Sequence, residues 1–332
     1  MKRKANIRFM IDFNSFLNTV ITMFIILVVG YVLGKTQIID SVSSKKLSKL
    51  IVSVAQPALI INSIIKTHYS ADNLKLSLIS LAFAFAMHII MALIAYVACI
   101  KIKNLDERKI TEFAMIFGNI GFLGIPVLGS LFPENGEFVA SFFVVSFNIL
   151  LWIIGLGIIA RKRDDIKITP KKIFINKGTV PTVIGYAIFL IPAFIPNFKL
   201  PVVVSSSVSY IASLCTPVSM LIIGALLSTR SVKQIFGSSK VYYLCLFKLI
   251  IIPVFFCLIL KLLGFSNFWV LFITAVSAMP CASSTSMFAE LYDTAPGFSA
   301  QGVGTSTLLS VGTMPLVILI ANQITTWNFS LF

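Results

Sequence analysis

Phe117-Gly118-Asn119-Ile120-Gly121-Phe122-Leu123-Gly124-Ile125-Pro126 lies in the middle of an apolar run long enough to cross a bilayer. Its glycines fall at i, i+3 and i+6, a proline follows two residues later, and one amide sits among them. In a helix each glycine costs roughly 1 kcal/mol relative to alanine, and an interior proline about 3. The penalty sharpens in hydrocarbon, where no water satisfies freed backbone groups. Such a stretch persists at membrane depth only where protein buries it or a wet cavity adjoins it. Interrupted helices of this kind build the mid-membrane sites of secondary transporters, and the stretch is read as a substrate site on that ground. The competing reading is a transmembrane helix that packs closely or kinks at the same residues.

Composition excludes a soluble domain. The 332 residues are 58% hydrophobic and 12% charged, against about 25% charged in globular chains. The net charge of +15 resides in short loops between apolar runs, where positive charge sets membrane orientation, so nucleic acid is not an expected partner. Cys99, Cys215, Cys245, Cys257 and Cys281 all fall inside apolar runs, form no Cys-x-x-Cys pair and read as packing residues; no metal or other cofactor is expected. His68 belongs to a loop. His88 lies inside an apolar run, where a helix contact and a proton role are both open.

Ten runs reach the length of a crossing: 14–34, 46–65, 75–100, 110–132, 137–160, 179–196, 202–228, 240–263, 267–290 and 299–323. Met1-Lys2-Arg3-Lys4 resembles the start of a signal peptide, but the apolar run after Asp12 is too long and lacks a cleavage site, so it is a transmembrane helix. The loops after runs 1, 3, 5 and 7 carry 18 Lys and Arg, whereas the opposite face carries 8 including Lys2, Arg3, Lys4 and Arg8. That bias predicts both termini outside the cell membrane and residues 161–178 in the cytoplasm. The basic N-terminus opposes it. Met10 directly precedes the first run, so the expected natural start is Met10, or residues 1–9 are dispensable.

The connector 161–178 divides the chain into a first repeat, 1–160, and a second, 179–332. Runs 2 and 7 are interrupted at Ala55-Gln56-Pro57 and Cys215-Thr216-Pro217, an offset of 160, and runs 4 and 9 at Pro126 and Pro280, an offset of 154. Five is odd, so the second half enters from the opposite side. The expected fold class is therefore an all-α polytopic membrane protein of ten transmembrane helices in an inverted 5+5 repeat, with broken helices 4 and 9. Run 9 reads Ser277-Ala278-Met279-Pro280-Cys281-Ala282-Ser283-Ser284-Thr285-Ser286. Proline suits a first helical turn, so Pro126 and Pro280 are each expected to begin a second half-helix whose N-terminus attracts an anion. The candidate substrate-binding residues are Asn119, Gly121, Pro126, Pro280, Cys281, Ser283, Ser284 and Asn148. For the hydroxyls, bonding back to helix carbonyls is the open alternative; for Asn148, an interhelical hydrogen bond. Lys248 lies deep in run 8, where it pairs with substrate or snorkels. Glu112 and Glu290 lie near run ends, within reach of the interface.

These residues resemble the auxin efflux carrier family, whose bacterial members include permeases for malate and malonate. The resemblance spans the chain through Asn119-x-Gly121-x-x-Gly124-x-Pro126, the paired Pro57 and Pro217, and the Pro280 stretch running to Phe288-Ala289-Glu290-Leu291-Tyr292. It implies that spans 4 and 9 cross at their breaks. It also implies a scaffold of spans 1, 2, 6 and 7, a mobile domain of 3–5 and 8–10, elevator movement, and commonly a homodimer. The plant carriers have an asparagine in the second crossover, where this chain offers Thr274 and Ser277, and the long cytoplasmic loop of many plant members is absent. Auxin itself is thus not the expected substrate.

The expected function is secondary active transport of a small organic anion, a carboxylate, with the coupling ion open between proton and sodium. No Gly-x-x-x-x-Gly-Lys-Ser/Thr occurs, so ATP is not expected to drive it. A carrier of bile-acid-like amphipathic solutes and a membrane sensor that does not transport stay open. No His-Glu-x-x-His or Ser/His arrangement at membrane depth supports an enzyme.

Overall fold

The computed structural model describes residues 12–163 and 179–326, apart from 197, 230, 232–234 and 236. Most of the connector, Met10 with the residues before it, and the last six residues lie outside the described residues. Within them the chain is all-helical. Its helices are α1 (Phe13–Lys35), α2 (Ser41–Ile65), α3 (Ala71–Cys99), α4 (Leu105–Ile116), α5 (Ile120–Leu131), α6 (Gly136–Ile159), α7 (Thr179–Phe194), α8 (Val202–Ser228), α9 (Ser239–Leu262), α10 (Asn267–Ser277), α11 (Ser283–Leu291) and α12 (Pro296–Thr326).

Seven of these, α1, α2, α3, α6, α8, α9 and α12, are long and apolar enough to cross a membrane. They follow seven of the apolar runs read from sequence. The run at 179–196 becomes the 16-residue α7, while 110–132 and 267–290 each hold two shorter helices with a gap between them.

Short polar side chains start several helices at the loop ends. Asp12 Oδ1 accepts from the Ser15 amide at 2.9 Å, Asp40 Oδ1 from Ser43 at 2.7 Å, and Ser70 Oγ from Asn73 at 3.1 Å. Asn104 accepts from both Asp106 and Glu107, whose carboxylates face the positive end of α4.

Three prolines inside the apolar runs follow a widened turn, whereas Pro192, Pro217 and Pro315 sit in helices without one, and a fourth such turn, Leu151–Gly155, precedes no proline. One-turn π segments occupy Ile51–Ala55, Ile120–Gly124 and Phe247–Ile251, each followed two residues later by Pro57, Pro126 or Pro253. A proline removes one amide and clashes with the carbonyl four residues back; the wider turn relieves both.

Two packing regimes position the interior. α1 lies against the second half of α8 at backbone distance: a Cβ on Gly30 would stand 2.3 Å from the Leu221 carbonyl oxygen, and one on Gly224 2.0 Å from that of Leu27. Small residues permit this approach, which in lipid replaces the missing hydrophobic drive with van der Waals contact. Elsewhere α1 and α8 face α5 and α12 through long side chains, with a space of about 20 Å³ lined by Met23, Leu27, Leu123, Met220 and Met314. On their outer sides α1 (Ile25, Val28, Val32), α3 (Leu93, Val97) and α8 (Val202, Val203, Tyr210) expose rows of apolar side chains, the surface a bilayer covers. The interruptions at 117–119 and 278–282 lie at the opposite extreme, buried almost without a break.

Candidate functional site

Helix α4 ends where Phe117 turns extended (φ −97°, ψ 103°), and α10 gives way to an extended link ending at Ala282 (φ −68°, ψ 145°). The two links lie antiparallel and pair as one isolated β-bridge, Gly118 with Cys281. The Asn119 amide donates to the Pro280 carbonyl at 2.8 Å, and the Ala282 amide to the Phe117 carbonyl at 3.0 Å. The Cys281 amide donates to Ser306 Oγ of α12 at 3.1 Å. Backbone groups left over where α4 and α10 end are thereby satisfied by the other link, which is what burial away from water demands.

The helices that follow the links, α5 and α11, start elsewhere than at the prolines. Asn119 is the N-cap of α5: its Oδ1 accepts from the Phe122 amide at 3.4 Å, so the helix starts at Ile120 and Pro126 falls inside it. On the other side α11 begins at Ser283, three residues beyond Pro280, because the Pro280 carbonyl and Ala282 amide are engaged by the first link. The expectation that Cys281 offers its amide to a ligand is corrected in the same way, since Ser306 holds that amide. Pro280 lies in the second link and Pro126 inside α5; neither contributes a donor.

Donors are what the arrangement leaves over. With its oxygen turned to the cap, Asn119 presents its NH2 inward; Nδ2 is buried without a partner. Ser284 Oγ and Thr285 Oγ1, in the first turn of α11, are also buried and unpartnered, so these hydroxyls do not bond back to the helix. Ser283 is half-buried at the same N-terminus. The first-turn amides and partial positive charge of two helices, α5 and α11, therefore adjoin hydroxyl and amide donors. Such a set suits an anion.

Two predicted residues behave otherwise. Asn148 donates to the Val144 carbonyl of its own helix at 2.7 Å, in place of the expected interhelical bond. A Cβ at Gly121 would meet only Gln56 Nε2, at 2.8 Å, the end of a flexible side chain. Thr274 and Ser277 bond back to Val270 and Thr274, so neither substitutes for a second asparagine.

Sequence reasoning missed the neighbours of the crossing. Gln56 and Thr216, each directly before a proline already singled out, both reach α5: Gln56 at Gly121, and Thr216 Oγ1 by donating to the Phe122 carbonyl at 3.2 Å. Ser146 was missed as well. Its Oγ lies 3.3 Å from His88 Nδ1, which also sits 2.8 Å from the Ala84 carbonyl, while Nε2 is buried and unpartnered. A signal existed: His88 and Lys248 are 160 residues apart, as are Ser146 and Ser306, the spacing already seen between Pro57 and Pro217.

Charge is otherwise kept at the helix ends. Glu112 is buried, clamped by Arg108 Nε at 2.7 Å and by both Arg161 nitrogens at 2.7 and 3.1 Å, and so does not reach the interface. At the opposite ends of the helices a polar cavity of about 430 Å³ is lined by Lys66, His68, Asn73, Glu134 and Glu137, with Lys66 and Glu137 paired at 3.2 Å across α2 and α6.

Residues 15–318 match the family described as "Membrane transport protein". An uncharacterized transporter of Methanocaldococcus jannaschii is 24% identical over 302 residues, covering 89% of this chain and 95% of its own length. With seven helices of crossing length, this is a multi-pass membrane protein. The chain belongs to the membrane transport protein family, that of the auxin efflux carriers.

Proposed function

We propose that this protein is a secondary active transporter of a small organic anion, a carboxylate, bound where the two helix interruptions meet. One observation carries the reading: Asn119 Nδ2, Ser284 Oγ and Thr285 Oγ1 are donors, all buried and all unpartnered, at two helix N-termini. An unpartnered buried donor costs about 1–3 kcal/mol, a cost that an acceptor arriving from outside would relieve at each of the three. In this reading α4–α5 and α10–α11 are the broken fourth and ninth spans of an inverted five-plus-five repeat, and the 160-residue spacings of His88 with Lys248 and of Ser146 with Ser306 support it.

Elevator-type movement fits the packing. α1 and α8 are locked together by backbone contact at Gly30 and Gly224, whereas Met23, Met220 and Met314 lie between them and α5 and α12; these flexible chains can repack as one body shifts, and the bonds from Thr216 to Phe122 and from Asp12 to Leu131 would have to exchange. Loop charge supports an outward position for both termini; in that orientation the polar cavity at Lys66 and Glu137 would be an external vestibule.

The test is uptake of labelled mono- and dicarboxylates by proteoliposomes, with and without a pH or sodium gradient. Saturable uptake of a carboxylate, competed by its congeners and lost in Asn119→Ala, is the expected result. Absence of carboxylate flux under every gradient, with uptake of a bile-acid-like solute instead, would transfer the site to amphipathic substrates.

A further inference from the structure

One charge beside the paired links has no counter-ion among the described residues. Lys248 lies on the π segment Phe247–Ile251 of α9 and is fully buried. Its ammonium carries three donors and makes a long hydrogen bond, 3.3 Å, to the Met115 carbonyl in the last turn of α4. Among the described residues no carboxylate lies within 4 Å of it: Glu112 is taken by two arginines, and Glu107 pairs with Lys240. The amine adjoins the paired links, 3.1 Å from where a Cβ on Gly118 would stand, one residue before Asn119. Gly118 therefore leaves the room the amine occupies.

Burying an ammonium costs several kcal/mol unless a partner repays it, and apolar replacement of a buried charge is often neutral or stabilising. The Met115 carbonyl alone is a thin return, although it lies at the negative end of α4, where a cation is welcome. Retention of a lysine here is explained if the missing partner is the transported ion. We propose that Lys248 supplies the positive charge to the bound anion and so makes net negative charge a requirement of the site. The proposal rests on the anion-transport reading above. In it Asn119, Ser284 and Thr285 recognise acceptor oxygens, which an amide also offers, while Lys248 discriminates a carboxylate from its uncharged amide.

The test measures binding by purified protein of malonate, succinate and benzoate, each beside its amide, together with thermal stability in the ligand-free state. Lys248→Gln keeps a donor for the Met115 carbonyl and removes the charge; Lys248→Met removes both. Both variants are expected to weaken carboxylate binding about 10- to 100-fold. They should leave amide binding unchanged, with Lys248→Met at least as stable as wild type when ligand-free. If Lys248 only caps α4, Lys248→Met loses stability while Lys248→Gln binds carboxylates like wild type, and that result overturns the proposal. Should Lys248→Met fail to fold, the Lys248→Gln affinities decide alone. Weakened binding in Asn119→Ala beside unchanged binding in Lys248→Gln removes the lysine's role and leaves the site intact. Failure of the wild-type protein to bind any carboxylate overturns both readings.

Discussion

Asn119→Ala separates a cap from a ligand group, because the two halves of one amide do different things. Its oxygen caps α5 through a bond of 3.4 Å, at the far edge of hydrogen-bonding range, so the loss falls near the low end of the about 0.5–2 kcal/mol typical of N-caps. Its NH2 is buried without a partner, and deleting it removes a penalty of about 1–3 kcal/mol. These terms oppose each other, so the ligand-free variant should melt close to wild type. Binding has no such compensation. A hydrogen bond to a charged acceptor contributes about 1.5–3 kcal/mol, which predicts a Kd roughly 10- to 100-fold weaker. Asn119→Asp sharpens the comparison: it keeps the capping oxygen and replaces the donor with a buried second acceptor, so it should melt below wild type and bind an anion worse than alanine does. Calorimetric titration beside thermal unfolding reads both quantities. Wild-type affinity in Asn119→Ala, with a lowered melting point, would refute the reasoning and leave the residue a helix cap.

At the α1–α8 contact, Gly224→Ala places a methyl 2.0 Å from the Leu27 carbonyl oxygen, a backbone atom that cannot step aside; folded yield after detergent extraction should collapse, whereas Gly312→Ala, which meets nothing within 4 Å, should be silent. Glu112→Gln breaks a buried clamp. Its cost should stay below the about 3–5 kcal/mol of a fully buried pair, because Arg108 and Arg161 keep 20% and 32% exposure and can turn to water; a thermal shift would show it, and an unchanged melting point would mean the clamp contributes nothing. All five native cysteines are buried, so added ones report orientation cleanly. A cysteine in the 161–178 connector should resist an impermeant thiol reagent in intact cells and one after Trp327 should react, and the reverse pattern would invert the topology.

What was legible in the chain followed from how coarse each signal is. The apolar runs announced helix positions to within a few residues, because twenty consecutive apolar side chains admit few alternatives. Gly118, Asn119 and Pro280 pointed to where α4 and α10 stop because each weakens a helix on its own account. Where helices restarted was not legible. It depended on the Asn119 amide finding the Pro280 carbonyl, a partner 161 residues away, and on which half of the Asn119 side chain served the cap. Asn148 misled for a related reason: an amide in an apolar run needs a partner, but the sequence does not say that the carbonyl four residues back suffices. Lys248 was conspicuous as a charge at depth, yet its place beside Gly118 came only from the fold.

The reciprocal bonds between the links at 117–119 and 278–282 also bear on biogenesis. When the first half of the chain leaves the ribosome, the Phe117 carbonyl and Asn119 amide have as yet no Ala282 or Pro280 to meet. Each unsatisfied group costs several kcal/mol in hydrocarbon. The nascent fourth apolar run is thus expected to wait near the interface, or in the care of the insertion machinery, until more than 160 further residues have been made. A transcript truncated after the connector should yield a protein that is extracted by the membrane's quality control rather than a stable half-transporter, and co-expression of the missing half should rescue it.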